Sequence, residues 1–180
     1  MSSQTAVLSA ATDGETAAPA FVLSILLDDL ASVLRTVPSE IYRARFANAV
    51  TGSIGEHVRH CLDHVSALVT ANASVPLSYD ARHRGTCVET EPAAAVEHIA
   101  TLRSELATWP TSTLDEPLSL LSQITADGQM VTSRSTVARE LVFVMNHTIH
   151  HQAIIGVLLA THGHPVPGRF GHAPSTPTRH

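Results

Sequence analysis

Apolar residues recur every three or four positions over four long stretches of the chain. This spacing is typical of a helix with one face in a core and one face in water. The predicted helices run from Pro19 to shortly before Pro38, and over residues 53–73, 92–109 and 135–162. We interpret residues 39–52 and 74–91, which lie between these helices, as connections.

Local signals mark the helix ends and predict one interruption by β-structure. Ser53-Ile54-Gly55-Glu56 has the S-x-x-E form of a capping box, Pro92 suits a first helical turn, and Gly163 suits a helix end. Residues 117–133 surround Asp127-Gly128, which is a favoured two-residue turn. The sequence therefore predicts a short β-hairpin before the last helix.

These elements predict an all-α fold in one domain. Four long helices with a short hairpin before the last one indicate a four-helix bundle over residues 19–162. Residues 1–18 are small and polar and are expected to be disordered, and residues 163–180 form an irregular tail rich in proline and glycine. A chain of 180 residues with 44% hydrophobic content is long enough to bury a core of its own.

Charge and cysteine content narrow the possible partners and the compartment. The formal net charge is -5 and no basic cluster is visible, which disfavours nucleic-acid binding. Cys61 and Cys87 do not form a CxxC motif and fit a reducing compartment. The start of the chain lacks the features of a signal peptide. The most apolar run of the whole chain is interrupted by Asp28 and Asp29 and is too short to span a membrane. We therefore expect a cytoplasmic protein without a membrane partner.

Half of the 12 histidines lie in two short segments, GSIGEHVRHCLDH and NHTIHHQAII. On the last predicted helix, His147 and His151 fall within the apolar stripe, whereas His150 falls well off it. Burying two imidazoles in aliphatic packing is costly unless each finds a partner, and one metal ion would serve both. On the second helix, His57 and His64 lie at the near edge of the apolar face.

His60 lies somewhat further round the second helix, so periodicity alone does not choose among its three histidines. The segment around His147 and His151 does not match the HExxH motif, because Thr148 follows His147 where the motif has glutamate. Neutral imidazoles suit Zn, Ni, Fe or Cu, and three protein ligands leave a position open for water or substrate.

At these residues the chain resembles the DinB family of metal-binding four-helix bundles, whose relatives include bacillithiol and mycothiol S-transferases. NHTIHHQAII is similar to the family's last-helix signature, N-H-x-x-H-H-x-x-x-I, and SIGEHVRHCLD resembles its second-helix signature, a histidine followed three residues later by an acid. The resemblance implies a metal held by His60, His147 and His151. His57 and His64 are then secondary candidates.

The resemblance also implies a function, a metal-dependent thiol S-transferase that uses Zn, Ni or Fe and a low-molecular-weight thiol. Arg82, Arg84 and Arg169 are candidates to hold a carboxylate-bearing substrate. Two alternatives stay open: a metal-dependent hydrolase with Glu140 or Asp63 as base, and a non-enzymatic metal-binding or stress-response protein. A small-molecule substrate or thiol is the expected partner, and a homodimer is a further expectation.

Overall fold

The computed structural model describes residues 19–45, 50–81, 84–109 and 113–177. This part of the chain contains six helices and two strands. In chain order they are α1 (Pro19–Leu34), α2 (Ser39–Arg43), α3 (Ile54–Val69), α4 (Cys87–Thr90), α5 (Pro92–Ala107), β1 (Pro117–Gln123), β2 (Met130–Thr136) and α6 (Val137–Thr161). The predicted helical fold with a small sheet before the last helix is confirmed. The segment expected to be disordered, residues 1–18, lies outside the described residues.

Two short helices lie where the sequence predicted connections. α2 follows Pro38 and has 5 residues, and α4 follows Thr86 and has 4 residues. Helices of this length are too short to show a hydrophobic period, which explains why the pattern did not predict them. The Tyr42 hydroxyl donates to the carbonyl of Val88 and thereby joins the two short helices.

The hairpin is present, but its predicted turn is wrong. β1 and β2 are antiparallel, with Pro117 opposite Thr136 and Gln123 opposite Met130. The strands are joined by residues 124–129, where the amide of Ile124 donates to the carbonyl of Gln129. Asp127-Gly128 thus sits inside a longer loop, and the positive φ of Gly128, 96°, is the conformation that glycine tolerates best.

The helix ends follow the sequence signals closely. The Ser53 side chain accepts a hydrogen bond from the amide of Glu56, and the Glu56 carboxylate accepts one from the amide of Ser53, so the predicted capping box is confirmed. Thr136 caps α6 by accepting from the amide of Arg139. Gly163, with φ at 67°, follows His162, the C-cap residue of α6.

The four long helices pack pairwise around one apolar core. α1 contacts α5 and α6, and α3 contacts the same two helices. The bundle topology itself stays a prediction. The largest fully buried side chains are Leu23, Leu27, Leu30, Leu34, Tyr42, Ile54, Leu62, Leu68, Ile99, Leu141, Ile155 and Leu158.

The segment after α6 packs back on the helices although it contains no helix or strand over residues 163–177. Phe170 is buried and joins the core cluster. The backbone of Gly171 comes so close to α6 that an added Cβ would lie 2.3 Å from the amide nitrogen of Ala153. His164 Nε2 lies 3.1 Å from the Thr36 hydroxyl at the end of α1.

In the described part of the chain, one helix, α6, is long and apolar enough to cross a membrane when only length and composition are considered. A core helix of a soluble protein satisfies the same criterion, so this is weak evidence for a membrane span. The expectation that the protein has no membrane partner stays a prediction.

Candidate metal centre

α3 and α6 pack against each other and bring the two histidine-rich segments together. Cys61 on α3 and Thr148 on α6 lie in this contact. Cys61 is fully buried, and its thiol donates to the hydroxyl of Thr148, with sulfur and oxygen 3.5 Å apart. Burial raises the pKa of Cys61 to about 11. Cys61 is therefore a protonated core residue of this contact.

Three histidines form the centre of the cluster. One ligand nitrogen from each of His60, His64 and His147 can be chosen so that all three lie within 4.8 Å of one another. The ring centroids of His64 and His147 are 3.9 Å apart, and those of His60 and His147 are 5.0 Å apart. A common cation would lie in the plane of each imidazole, at about 2.0–2.1 Å from the nitrogen in the case of zinc. The ring of His147, which stacks on that of His64 with planes 21° apart, would therefore have to turn before both could bind the same ion.

The environment of His147 suits a metal ligand. Its Nε2 is buried and has no hydrogen-bond partner among the described residues. Burial lowers the pKa of His147 to about 3, and the nearby imidazoles of His64 and His60 reinforce the effect. The ring is thus neutral at physiological pH and keeps the lone pair that a metal requires. Since buried polar atoms are seldom left unpaired, a cation is a fitting partner for this nitrogen.

On one side of the cluster, which we call the closed side, aromatic residues cover His64. His64 is buried, and its Nδ1 lies 3.0 Å from the carbonyl of His60. Because a carbonyl can only accept, Nδ1 carries the proton and Nε2 carries the lone pair. The Tyr79 ring stacks on His64 with centroids 4.9 Å apart and planes 3° from parallel, and Phe143 lies beside both rings. The closed side consists of His64, Tyr79, Glu140 and Phe143.

On the other side, which we call the open side, His151 faces His57 and a cavity. The Nδ1 atoms of His57 and His151 lie 3.3 Å apart, and the His151 ring centroid is 4.8 Å from that of His60 and 4.5 Å from that of His147. Burial, aided by neighbouring imidazoles, lowers the pKa of His151 to about 2, and burial also lowers the pKa of His57. The exposed ring of His150 touches His151 from outside.

A cavity of about 420 Å³ leads from solvent to the open side. Three of its lining residues are His57, His60 and His151, so it reaches the cluster itself. The remaining lining residues are Arg45, Thr51, Gly52, Glu56, Arg59, Arg84 and Glu89. Its volume falls within the range of small-molecule sites.

Both candidate bases already accept hydrogen bonds. Asp63 pairs with the buried Arg59, at 2.8 Å between Oδ2 and Nη1. Glu140 is completely buried and accepts from Tyr79, from Ser135 and from Arg139. Neither carboxylate lines the cavity of the open side. The structure gives no support to a catalytic role for them, which stays a prediction.

The three candidate arginines have different surroundings. Arg84 is exposed and lines the cavity of the open side. Arg169 lies in the segment after α6 and is absent from the residues that line this cavity. Arg82 lies outside the described residues.

Several residues around the cluster were not predicted from the sequence. Tyr79 and Phe143 reach His64 from a loop and from α6, and Arg45 and Arg59 line the cavity. Tyr79 and Glu140 are 61 residues apart in the chain, so no local pattern links them. A period of 3.6 identifies which side of a helix is buried, but it does not identify the loop residue that covers it.

The predicted triad of His60, His147 and His151 is neither established nor excluded by this geometry. All three rings contact one another, but the three nitrogens that converge belong to His60, His64 and His147. His60 and His147 are common to both sets.

Of the comparisons with known proteins, the family match agrees with the resemblance seen in the two histidine segments. The chain is 35% identical over 115 residues to a protein named FK506-binding protein 5 from Rhizopus delemar. That alignment covers 63% of this chain and 30% of the relative, so the chain matches less than a third of the relative's length. No solved structure matches the chain. The model of the DinB family matches residues 28–172, which include both histidine segments, and the chain therefore belongs to the DinB family.

Proposed function

We propose that the protein is a metal-dependent enzyme of the thiol S-transferase type, with a divalent transition metal (Zn, Ni or Fe) held by the histidine cluster. The observation that carries this proposal is the convergence of one ring nitrogen each from His60, His64 and His147 to within 4.8 Å of one another. The buried Nε2 of His147, which has no hydrogen-bond partner among the described residues, adds to it. Membership of the DinB family supports metal binding independently of the geometry.

His60 and His147 are ligands in either version of the site. The third nitrogen comes from His64 if the observed convergence persists on binding, and from His151 if the family signature applies. Each has a hydrogen-bond partner that would orient it, the carbonyl of His60 for His64 and the ring of His57 for His151. Such partners fix the tautomer and the direction of a ligating imidazole.

A bound divalent cation would lower the pKa of a thiol or water that reaches it and so supply a nucleophile at neutral pH. The chain itself contributes the cavity of the open side, which has room for a small thiol and its acceptor. Arg59 is already paired with Glu89 and Asp63, and Arg45 with Glu56. Arg84, which is exposed at the same cavity, is thus our candidate to bind a substrate carboxylate.

The two alternative functions become outcomes of one test. A hydrolase needs a base beside the metal, and no described observation favours Asp63 or Glu140 in that role over their present pairing. Cytoplasmic location and a homodimer stay predictions.

The decisive experiment begins with elemental analysis of the purified protein. The metal-loaded protein is then incubated with glutathione, bacillithiol or mycothiol and a chloroarene electrophile, and loss of thiol is followed together with release of chloride. In the expected reaction the sulfur forms a bond to the ring carbon, chloride leaves with the bonding pair, and the thiol proton passes to solvent. The His147→Ala variant is the control.

The outcomes separate the three functions. Turnover that depends on metal and on His147 supports a transferase. Cleavage of esters or amides without any thiol indicates a hydrolase, and full metal occupancy without turnover of any substrate indicates a binding protein. A protein that binds none of the three metals would refute the proposal.

A further inference from the structure

The ring of His64 is restrained on one face and at one ring nitrogen. The ring of Tyr79 stacks on it with centroids 4.9 Å apart and planes 3° from parallel. The Nδ1–H group donates to the carbonyl of His60. A ring held in this way has little freedom to rotate, so the direction of its Nε2 depends on where the Tyr79 ring lies.

The position of Tyr79 depends on Glu140. The Tyr79 hydroxyl donates to Oε2 of Glu140, with the oxygens 3.0 Å apart. The other oxygen, Oε1, accepts from the hydroxyl of Ser135 at 2.5 Å and from the guanidinium of Arg139 at 2.7 Å. The carboxylate is completely buried and held by three donors from β2, α6 and the loop after α3, so it is a fixed anchor for the tyrosine.

The β-hairpin holds the loop that carries Tyr79. Leu77 pairs with β1 in parallel register, because its amide donates to the carbonyl of Ser119 and its carbonyl accepts from the amide of Leu121. The carboxylate of Asp80 accepts from the amide of Gln123. Tyr79 thus lies between two attachments to the same strand.

From these contacts we infer that Tyr79 and Glu140 are positioning residues for the metal site, which hold His64 with its Nε2 directed at the cation. This inference rests on the proposed metal site and names the third ligand. It also assigns a task to the hairpin, which holds the loop that carries Tyr79 next to the histidine cluster. The physical reason is preorganisation, since a ligand that is already oriented loses less conformational freedom when it binds.

Cobalt(II) titration tests this inference, because the visible spectrum of bound Co²⁺ reports the number and geometry of its ligands. We expect Tyr79→Ala to lower Co²⁺ affinity roughly 10–100-fold, which is the usual effect of losing an outer partner of a metal ligand. Tyr79→Phe keeps the stacked ring and loses the hydroxyl, so its Co²⁺ affinity should lie between that of the wild type and that of Tyr79→Ala. Glu140→Gln should resemble Tyr79→Phe.

A double-variant cycle isolates the hydrogen bond between the two residues. If Tyr79 and Glu140 act through one contact, Tyr79→Phe/Glu140→Gln will bind Co²⁺ about as tightly as the weaker single variant. The matched control is Tyr42→Phe, which removes the other tyrosine hydroxyl of the chain from its bond to Val88. It should leave Co²⁺ affinity and spectrum unchanged.

The melting temperature of the metal-free protein distinguishes positioning from a merely structural role. A structural role predicts that Tyr79→Phe and Tyr42→Phe lower this temperature while both bind Co²⁺ like the wild type, and this result would overturn the inference. If Tyr79→Ala does not fold, the Co²⁺ affinities of Tyr79→Phe and of the double-variant cycle with Glu140→Gln test the inference instead. A wild-type protein that takes up no Co²⁺ refutes the proposed metal site, whereas normal wild-type binding with unchanged variants refutes this inference alone.

Discussion

The closed and open sides of the histidine cluster place similar residues in different surroundings. On the closed side, His64 is enclosed by Tyr79 and Phe143 and bonded to a backbone carbonyl. On the open side, His151 faces another imidazole, that of His57, and a cavity that leads to solvent. His60 and His147 lie between the two sides, because their rings contact both His64 and His151.

This difference indicates a division of tasks between holding a ligand and admitting one. A ring fixed by stacking and by a carbonyl is suited to permanent coordination. A ring beside a cavity is suited to contact a substrate, or to leave the metal when a substrate binds. The family signature names His151 and the geometry names His64, so the two sides make opposite predictions about the third ligand.

Removal of a central ligand should have the largest effect. We expect His147→Ala and His60→Ala each to lower metal affinity by more than the roughly 100-fold that outer partners can cost, because both sides of the cluster share these residues. His150→Ala is the matched control, since this exposed ring lies next to the cluster on α6. Elemental analysis after dialysis measures occupancy. Equal metal content in all three variants would place the metal elsewhere.

A comparison of His64→Ala with His151→Ala then tests the two sides directly. If the closed side supplies the third ligand, His64→Ala should lose on the order of 100-fold in affinity and His151→Ala about 10-fold or less, the cost of an outer group. The readout is Co²⁺ titration with the visible spectrum. The reverse order would assign the third ligand to His151, in agreement with the family signature.

A substitution on the open side should affect substrate binding without affecting the metal. Arg84→Ala should raise KM for a carboxylate-bearing thiol roughly tenfold at nearly unchanged kcat, because a charge-assisted hydrogen bond contributes about 1.5–3 kcal/mol. Arg169→Ala is the control with the same change of charge away from this cavity. An equal effect of both variants would show that general electrostatics, and no specific contact, is responsible.

The stability of the metal-free protein should depend on pH through His147 at the centre of the cluster and His151 on the open side. In the folded state the pKa values of His147 and His151 are lowered to about 3 and about 2, mainly by burial. The unfolded chain takes up these protons near pH 6.5. The unfolded state therefore binds more protons below that pH, and the free energy of unfolding decreases as pH falls.

The contribution of these groups is complete above about pH 6.5 and is lost progressively toward about pH 3. We expect the melting temperature of the metal-free protein to be several degrees lower near pH 5 than near pH 7. The double variant His147→Gln/His151→Gln should flatten this dependence. An unchanged slope in that variant would mean that other groups control the acid response.

The sequence by itself determined most of the helical architecture. Hydrophobic spacing and the cap at Ser53 predicted the four long helices because both signals are local, and Asp127-Gly128 correctly indicated a hairpin. The same reasoning placed His147 and His151 on the inner stripe of α6 and His150 outside it, and the structure buries His151 and exposes His150. These are consequences of 3.6 residues per turn, which needs no knowledge of neighbouring elements.

Only the tertiary structure decided which groups meet around the cluster. His64 was a secondary candidate on the sequence, and its convergence with His60 and His147 depends on how α3 and α6 pack together. Tyr79 and Glu140 come together because the hairpin holds a loop over α6. Contacts between residues 61 positions apart arise from packing and long-range hydrogen bonds, and the local sequence pattern carries no record of them.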